Sequence, residues 1–439
     1  MKILSDIVAQ NRSNATQGIY AVCTANPIVL EAAFRQAKLD DSPLLIEATA
    51  NQVNQFGGYT GMMPKDFMSF LNTIADRAGF NKDRIILGGD HLGPVCWTDE
   101  PAEMAMEKSS ELIKQYVEAG FKKIHLDTSM PCLDDAEVLS DEIVASRAAS
   151  LCMVAEETAV KQFGESDLLY VIGTEVPPPG GASELLDNVV VTPADNAKKT
   201  IEIHQKAFLY LGLESAWSRV IGLVVQPGVE FDHTSVHDFD VSQTKELTAF
   251  IKQVPNMVYE AHSTDYQPVS AYAKLVNGHF AILKVGPQLT FALREALFAL
   301  SHIEDELVAA NESSKLREIC EETMIDSPKY WEKYYESEKQ EKVYRRYSYS
   351  DRIRYYWNQP KMLSAVGTLI QNLSNLDLPL PLISQYLPLQ YAAIRAGTLK
   401  NSPEALIRYH IMQVLKTYSL ACVSDEKAAR QDLLGRDVA

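Results

Sequence analysis

An α/β fold is the architecture this sequence predicts: eight β/α units closed into a barrel, followed by a helical extension. Three observations carry the prediction. Eight short apolar runs recur with helix-like segments between them, and strands alternating with helical patterns mean βαβ units and a parallel sheet. Each run ends in polar or ionisable residues, as expected where a chain enters the mouth of a barrel. The pattern stops after about Leu307, and the 439-residue chain is longer than the roughly 250 residues of a barrel.

In order, the runs are Gly18–Asn26, Pro43–Thr49, Arg84–His91, Lys122–Ser129, Leu168–Val176, Arg219–Gly228, Asn256–Asp265 and Phe280–Gln288. The third is the most informative. Ile85-Ile86-Leu87 suits a buried parallel strand, and two glycines, Asp90 and His91 follow at once. The other ends carry Cys23 to Asn26, Glu47 to Thr49 with Asn51 just beyond, His125 to Ser129, Thr174-Glu175, Gln226 to Gly228, Glu260 to Asp265, and Lys284 to Pro287. A sealed core would not tolerate so many polar groups. They fit the catalytic face of a (β/α)8 TIM barrel over residues 1–307. Met104–Ala119, Ser140–Phe163 and Ala194–Leu211 read as amphipathic helices. In the extension, 308–439, Glu304–Glu322 and Ser402–Tyr418 read as helices, and Ser350-Asp351 reads as the N-cap of a helix over 352–357. With no low-complexity linker, the extension is expected to pack on the barrel.

The 41 basic against 58 acidic residues give a net charge of −17, which argues against nucleic acid or an anionic membrane as partner. A phosphorylated substrate would need a local cationic pocket. The amino terminus lacks the apolar core of a signal peptide, no run approaches a membrane span, and the six cysteines are scattered without a C-x-x-C pair. A cytoplasmic protein with reduced thiols is expected.

His91 and His262 stand at the third and seventh strand ends. Two imidazoles plus a carboxylate, with an open position, make a workable catalytic metal site. The acids at hand are Glu47, Asp90, Asp127, Glu175 and Glu260. The plainer reading makes one histidine a satisfied core residue. His204, His302 and His410 sit in helical patterns and read as structural; His233 and His237 stay open. Ser263, Thr264, Lys284 and Gly286 end the last two strands, where barrels often hold phosphate. Lys284 has two other readings, an ion pair with a strand acid or a Schiff-base amine. Gly57–Gly61 reads as a lid or a phosphate cradle, but is neither a Walker loop nor G-x-G-x-x-G. Pro177–Gly181 reads as a rigid loop shaping the mouth. The segment with Arg345, Arg346, Arg352 and Arg354 reads as an interface or solvated face, with phosphate binding over the mouth as the alternative.

Glu47–Gly61, Gly88–Trp97, His125–Ser129, Gly173–Gly181, Val224–His233, Tyr259–Gln267, Lys284–Ala296 and Ser350–Trp357 together resemble the Z-type subunit family of D-tagatose-1,6-bisphosphate aldolase. The resemblance implies a β/α barrel acting in tagatose, galactitol or N-acetylgalactosamine catabolism. Some members are described as non-catalytic subunits that stabilise and activate a Y-type aldolase. Others are described as metal-dependent epimerases that interconvert D-tagatose 6-phosphate and D-fructose 6-phosphate. An older kinase label finds no phosphate loop here. More distantly, the strand ends resemble class II aldolases, which implies Asp90 as base and His91 and His262 as metal ligands. The strand-six histidine of those enzymes is Gln226 here. Glu175 is then the expected third ligand, with Gln226 next.

The expected activity is a ketose 6-phosphate 4-epimerase working by retro-aldol cleavage of C3–C4 and re-addition. Asp90 or Asp127 would move the C4 hydroxyl proton, and Glu175 would join the catalytic set. Glu47, Asn51, Gln226, Ser263, Thr264, Asp265, Lys284 and Gly286 would bind the substrate. The cofactor would be a divalent ion of the Zn, Mn, Ni or Co class, and the partners a phosphorylated ketose, a Y-type aldolase subunit and further copies of the chain. Alternatives are a purely supporting subunit, or a bisphosphate aldolase with a second phosphate site.

Overall fold

The computed structural model describes residues 1–173, 189–335 and 338–423, with the side chains of 338 and 339 excluded. All eight apolar runs form strands: β1 (Ile19–Val22), β2 (Leu44–Thr49), β3 (Ile85–Leu92), β4 (Lys123–Leu126), β5 (Leu169–Ile172), β6 (Val220–Val224), β9 (Val258–Ala261) and β10 (Phe280–Val285). They close into one parallel barrel in the order β1-β2-β3-β4-β5-β6-β9-β10, and β10 returns to β1. Between β6 and β9 a small antiparallel ribbon, β7 (Glu230–Phe231) with β8 (Val236–His237), rises from the mouth.

Inside the barrel the side chains sort by height. Leu45, Ile86, Leu169, Ile221, Val258 and Ile282 fill the lower layer with Leu4, Ile7 and Val8 of the helix Lys2–Asn14, which plugs the bottom. Two residues further along, the inward positions become Glu47, Gly88, Glu260 and Lys284, and β4 contributes Lys123 and His125. Strand side chains alternate faces with a period of two, so one register step decides which residues share this layer. Glu47 pairs in register with Gly88. A Cβ on Gly88 would lie 2.7 Å from the Glu47 side chain, so glycine there makes room for the buried carboxylate.

β3 continues through the glycine pair to Leu92, with a register shift against β4 between Gly89 and Leu92. That bulge leaves His91 at φ 48°, in the left-handed region. Such strain in a non-glycine residue persists only where the surroundings hold it. A bulge of this kind re-aims a side chain.

The extension folds back on the barrel. The helix Pro403–Cys422 packs against Pro27–Leu39, Val269–Asn277 and Pro287–Leu307. The Tyr418 hydroxyl donates to the Thr264 carbonyl at 3.0 Å. Two helical expectations change. Glu304–Glu322 is not continuous: one helix ends at Leu307 and another spans Leu316–Asp326. Ser350-Asp351 does not cap an α-helix. Asp351 adopts φ 46° ahead of a single 3-10 turn, Arg352–Tyr355, and its carboxylate accepts instead from Thr290 Oγ1 at 2.5 Å. A tertiary donor has taken the group a cap would use. Among the described residues no helix is long and apolar enough to cross a membrane.

Candidate active site

The upper layer is a buried ionic network. Lys123 Nζ lies 2.6 Å from Glu47 and 2.7 Å from Glu260, and all three are fully buried. Lys284 pairs with Glu47 and sits 2.8 Å from Asp90. Lys284 thus takes the ion-pair reading, although burial lowers its ammonium to about 8. Four carboxylates (Glu47, Asp90, Asp127, Glu260) face two ammoniums (Lys123, Lys284). With neutral imidazoles, the mouth carries a surplus of negative charge that a divalent cation would offset.

Three imidazoles stand above this layer. The ring centroids of His91 and His262 are 5.0 Å apart, those of His91 and His125 5.0 Å, and those of His125 and His262 5.4 Å. Each ring has one nitrogen committed to an acceptor. His91 Nδ1 lies 2.6 Å from Asp127 Oδ2, His262 Nε2 lies 2.9 Å from Glu260 Oε1, and His125 Nε2 lies 2.9 Å from the Gly173 carbonyl. For His91 and His262 such an acceptor fixes the tautomer and leaves the opposite nitrogen to ligate, the usual outer shell of metal-bound histidine, whereas His125 Nδ1 accepts from the His91 N–H at 3.2 Å and lies 2.9 Å from Asp90 Oδ1. One ligand atom from each of Asp90, His91, His125 and His262 falls within 4.8 Å of the others. The donor set fits a borderline divalent ion. Without an ion, burial disfavours the His91 imidazolium. Asp90 and Asp127 outweigh that and lift His91 to about 9. Burial pushes His262 down. Burial also opposes ionisation of Glu260, but Lys123 and His262 hold it near 2. Cys23, beside Glu47 and Asp90, is pushed up to about 12 by burial and stays a thiol.

The structure brings Asp90, His91 and His262 together and adds His125, a strand-end residue to which the sequence pattern alone assigns no role. The signal that points to it is period-two spacing: Lys123 and His125 share one face of β4, and Asp127 continues the spacing just past its end. Glu175, the expected third ligand, lies outside the described residues, as does Pro177–Gly181. Gln226 turns to its own loop, its amide oxygen accepting from Gly228 and Val229 N–H.

Above the imidazoles lies a cavity of about 100 Å³ lined by Thr49, Asn51, Tyr59, Asp90, His91, His262, Ser263, Asp265, Lys284, Gly286 and Arg354, among others. Thr264 faces away from it, donating to the Lys284 carbonyl at 2.6 Å. The Gly286 amide, expected to hold phosphate, donates to Asp265 Oδ1 at 3.0 Å. Gly57–Gly61 is no open cradle. Gly57 and Gly58 N–H donate to Asn54, Tyr59 N–H to Asn51 and Thr60 N–H to Gln52. His233 is structural, its ring bridging Ser348, Ser350 and the Tyr334 carbonyl. Of the four arginines in the extension, Arg345 and Arg346 pair with Glu321, and Arg352 lies over the Tyr334 ring. Only Arg354 of these reaches the cavity.

A family model described as D-tagatose-1,6-bisphosphate aldolase subunit GatZ/KbaZ-like matches residues 4–423. The chain belongs to the GatZ/KbaZ-like family. Among solved structures, it is 44% identical to a probable tagatose 6 phosphate kinase from Sinorhizobium meliloti 1021. That match covers 92% of this chain and 100% of the other, with a TM-score of 0.85. More remote are the YdjI aldolase from Escherichia coli K12 (11% identity, 80% of this chain and 94% of that one, TM-score 0.41) and a fructose-bisphosphate aldolase from Campylobacter jejuni (13%, 84% and 91%, TM-score 0.43). Those two values are too low to bear on function. Membership of the GatZ/KbaZ-like family places the chain with the tagatose-bisphosphate aldolase system, as a sugar-phosphate enzyme or a subunit of one.

Proposed function

We propose that this GatZ/KbaZ-like protein is a metal-dependent ketose 6-phosphate 4-epimerase that interconverts D-tagatose 6-phosphate and D-fructose 6-phosphate. The supporting observation is the trio His91, His125 and His262, each with one nitrogen held by an acceptor and Asp90 beside them. The imidazoles would hold a divalent ion of the Zn, Mn, Ni or Co class, which when bound supplies Lewis acidity toward the C2 carbonyl.

The chain's own groups do the rest. Asp90 takes the proton from the C4 hydroxyl. The C4–O electrons form the aldehyde, the C3–C4 bond breaks, and its pair moves into the enediolate of dihydroxyacetone. The glyceraldehyde 3-phosphate fragment turns its other face, C3 attacks it, and Asp90 returns the proton to the new C4 oxygen. Atoms and charge balance without a redox partner. Burial opposes ionisation of Asp90, but His91, His125 and His262 outweigh it and keep the base ionised, and Lys284 lies 2.8 Å away. Asp127 orients His91, and Ser263 and Asn51 line the sugar's path.

The family's description as an aldolase subunit supports a second reading, in which the chain stabilises a Y-type partner. The cobalt- or zinc-loaded chain alone, given D-fructose 6-phosphate, is expected to form D-tagatose 6-phosphate. Absence of turnover with any divalent ion, together with activation of an added Y-type aldolase, would establish the supporting role instead.

A further inference from the structure

A phosphate group in a barrel is commonly held by the amides at the head of the last helix. Here those amides are spent. The helix Pro287–Leu307 follows β10, and Asp265 Oδ1 accepts from Gly286 N–H at 3.0 Å and from Gln288 N–H at 2.8 Å. Pro287 has no N–H to offer. A carboxylate of the chain therefore occupies the place an external anion would take, and a second anion there would meet its charge. In the Gly57–Gly61 loop the Gly57, Gly58, Tyr59 and Thr60 amides are also spent internally.

Among the described residues, the cation left facing the cavity is Arg354. Lys284 is engaged by Glu47 and Asp90. Arg354 lines the cavity beside Tyr59, Ser263 and Gly286, and its acceptors are neutral: the Ser350 and Asp351 carbonyls and the Tyr355 hydroxyl. A guanidinium so placed retains its charge for a ligand. Its position is built from the barrel. Asp351 accepts from Thr290, Tyr349 N–H donates to the His233 carbonyl, Tyr266 Oη donates to the Tyr349 carbonyl at 2.7 Å, and Asn358 Nδ2 donates to the Tyr59 carbonyl at 3.2 Å. The Tyr59 ring stands edge-on to Tyr355, centroids 4.9 Å apart.

We infer that Arg354, carried by the C-terminal extension, is the phosphate anchor of the active site and selects phosphorylated over free ketoses. The inference rests on the sugar-phosphate reading above. It gives the extension a part in substrate recognition. The barrel supplies the reacting end of the site, and the extension supplies the positive charge at the other end.

The test is calorimetric binding of D-fructose 6-phosphate and of D-fructose to the full-length, metal-loaded chain, read as the ratio of their affinities. Wild type is expected to favour the phosphate ester by about a hundredfold or more, from two charge-assisted hydrogen bonds. Arg354→Met should collapse the ratio to within about tenfold and leave D-fructose binding unchanged. Arg354→Lys, which keeps the charge but not the fork, should fall between. A ratio unchanged in Arg354→Lys overturns the assignment even if Arg354→Met fails to fold, and so does a wild type without preference for the phosphate ester. Epimer formation is measured separately on wild type. Turnover with an Arg354-independent ratio would sink the anchor and leave the proposed reaction standing. An Arg354-dependent ratio without turnover would do the reverse.

Discussion

His91 Nδ1 and Asp127 Oδ2 lie 2.6 Å apart, across the adjacent strands β3 and β4 and at the point where β3 bulges. His91 occupies the left-handed region, so its backbone alone does not hold the ring in place. The carboxylate of the neighbouring strand does. Asp127 is itself kept ionised: burial opposes its charge, but His91 and Ser129 outweigh that and hold it near 2.

Loss of that carboxylate should therefore be felt at the metal rather than in the fold. Asp127→Asn is expected to weaken divalent-ion affinity about 10- to 100-fold, the usual effect of removing an outer-shell acceptor. Competition with a chromophoric chelator measures it, and an unchanged thermal midpoint separates the effect from misfolding.

His125 and Glu175 make opposing claims to the third ligand position. His125 stands within ligating reach of His91 and His262. His125→Ala should leave the purified chain without bound metal, as should His91→Ala and His262→Ala, whereas Glu175→Ala should retain it. Elemental analysis of the four variants decides between them. Metal retained in His125→Ala would return the role to a carboxylate.

Lys123 does not line the cavity, yet it neutralises two carboxylates at the centre of the barrel. Lys123→Met leaves Glu47 and Glu260 buried against one remaining ammonium. Breaking one partner out of a buried ionic cluster costs about 3–5 kcal/mol. A fall of that size in unfolding free energy from urea titration is expected. A loss under about 1 kcal/mol would mean the network is hydrated, as exposed pairs are.

Asp351 supplies a pH-dependent term. Burial raises its carboxyl to about 7, against an ordinary 3.8, even though Thr290, Arg294 and Arg354 pull the other way. The folded state therefore binds a proton that the unfolded state has already released between about pH 4 and 7. Stability from this group is full below that window, falls as pH rises through it, and is flat above. The slope is at most about 1.4 kcal/mol per pH unit. Asp351→Asn should abolish this component, so the difference in unfolding midpoint between variant and wild type should grow in the variant's favour from pH 5 to pH 7.5. A constant difference over that range would show that Asp351 is ionised in the fold throughout.

By itself the sequence determined the ring. Eight apolar runs bounded by polar residues are a local pattern, and burial on both faces of a parallel strand writes it into consecutive residues. Asp90, His91 and His262 were legible for the same reason: they follow directly on those runs. What only the tertiary structure decided is which side chains meet. His125 joins His91 and His262 because β4 pairs with β3 at Gly88–Lys123 and Gly89–Ile124 before the bulge, and a shift of a single residue would turn it out of the barrel. The two amides at the head of the last helix were taken by Asp265, twenty-one and twenty-three positions earlier in the chain. Arg354 came to the mouth through bonds to loops up to about 300 residues away. Such partners are set by the closure of the barrel and by the packing of the extension, and neither leaves a periodic mark on the chain.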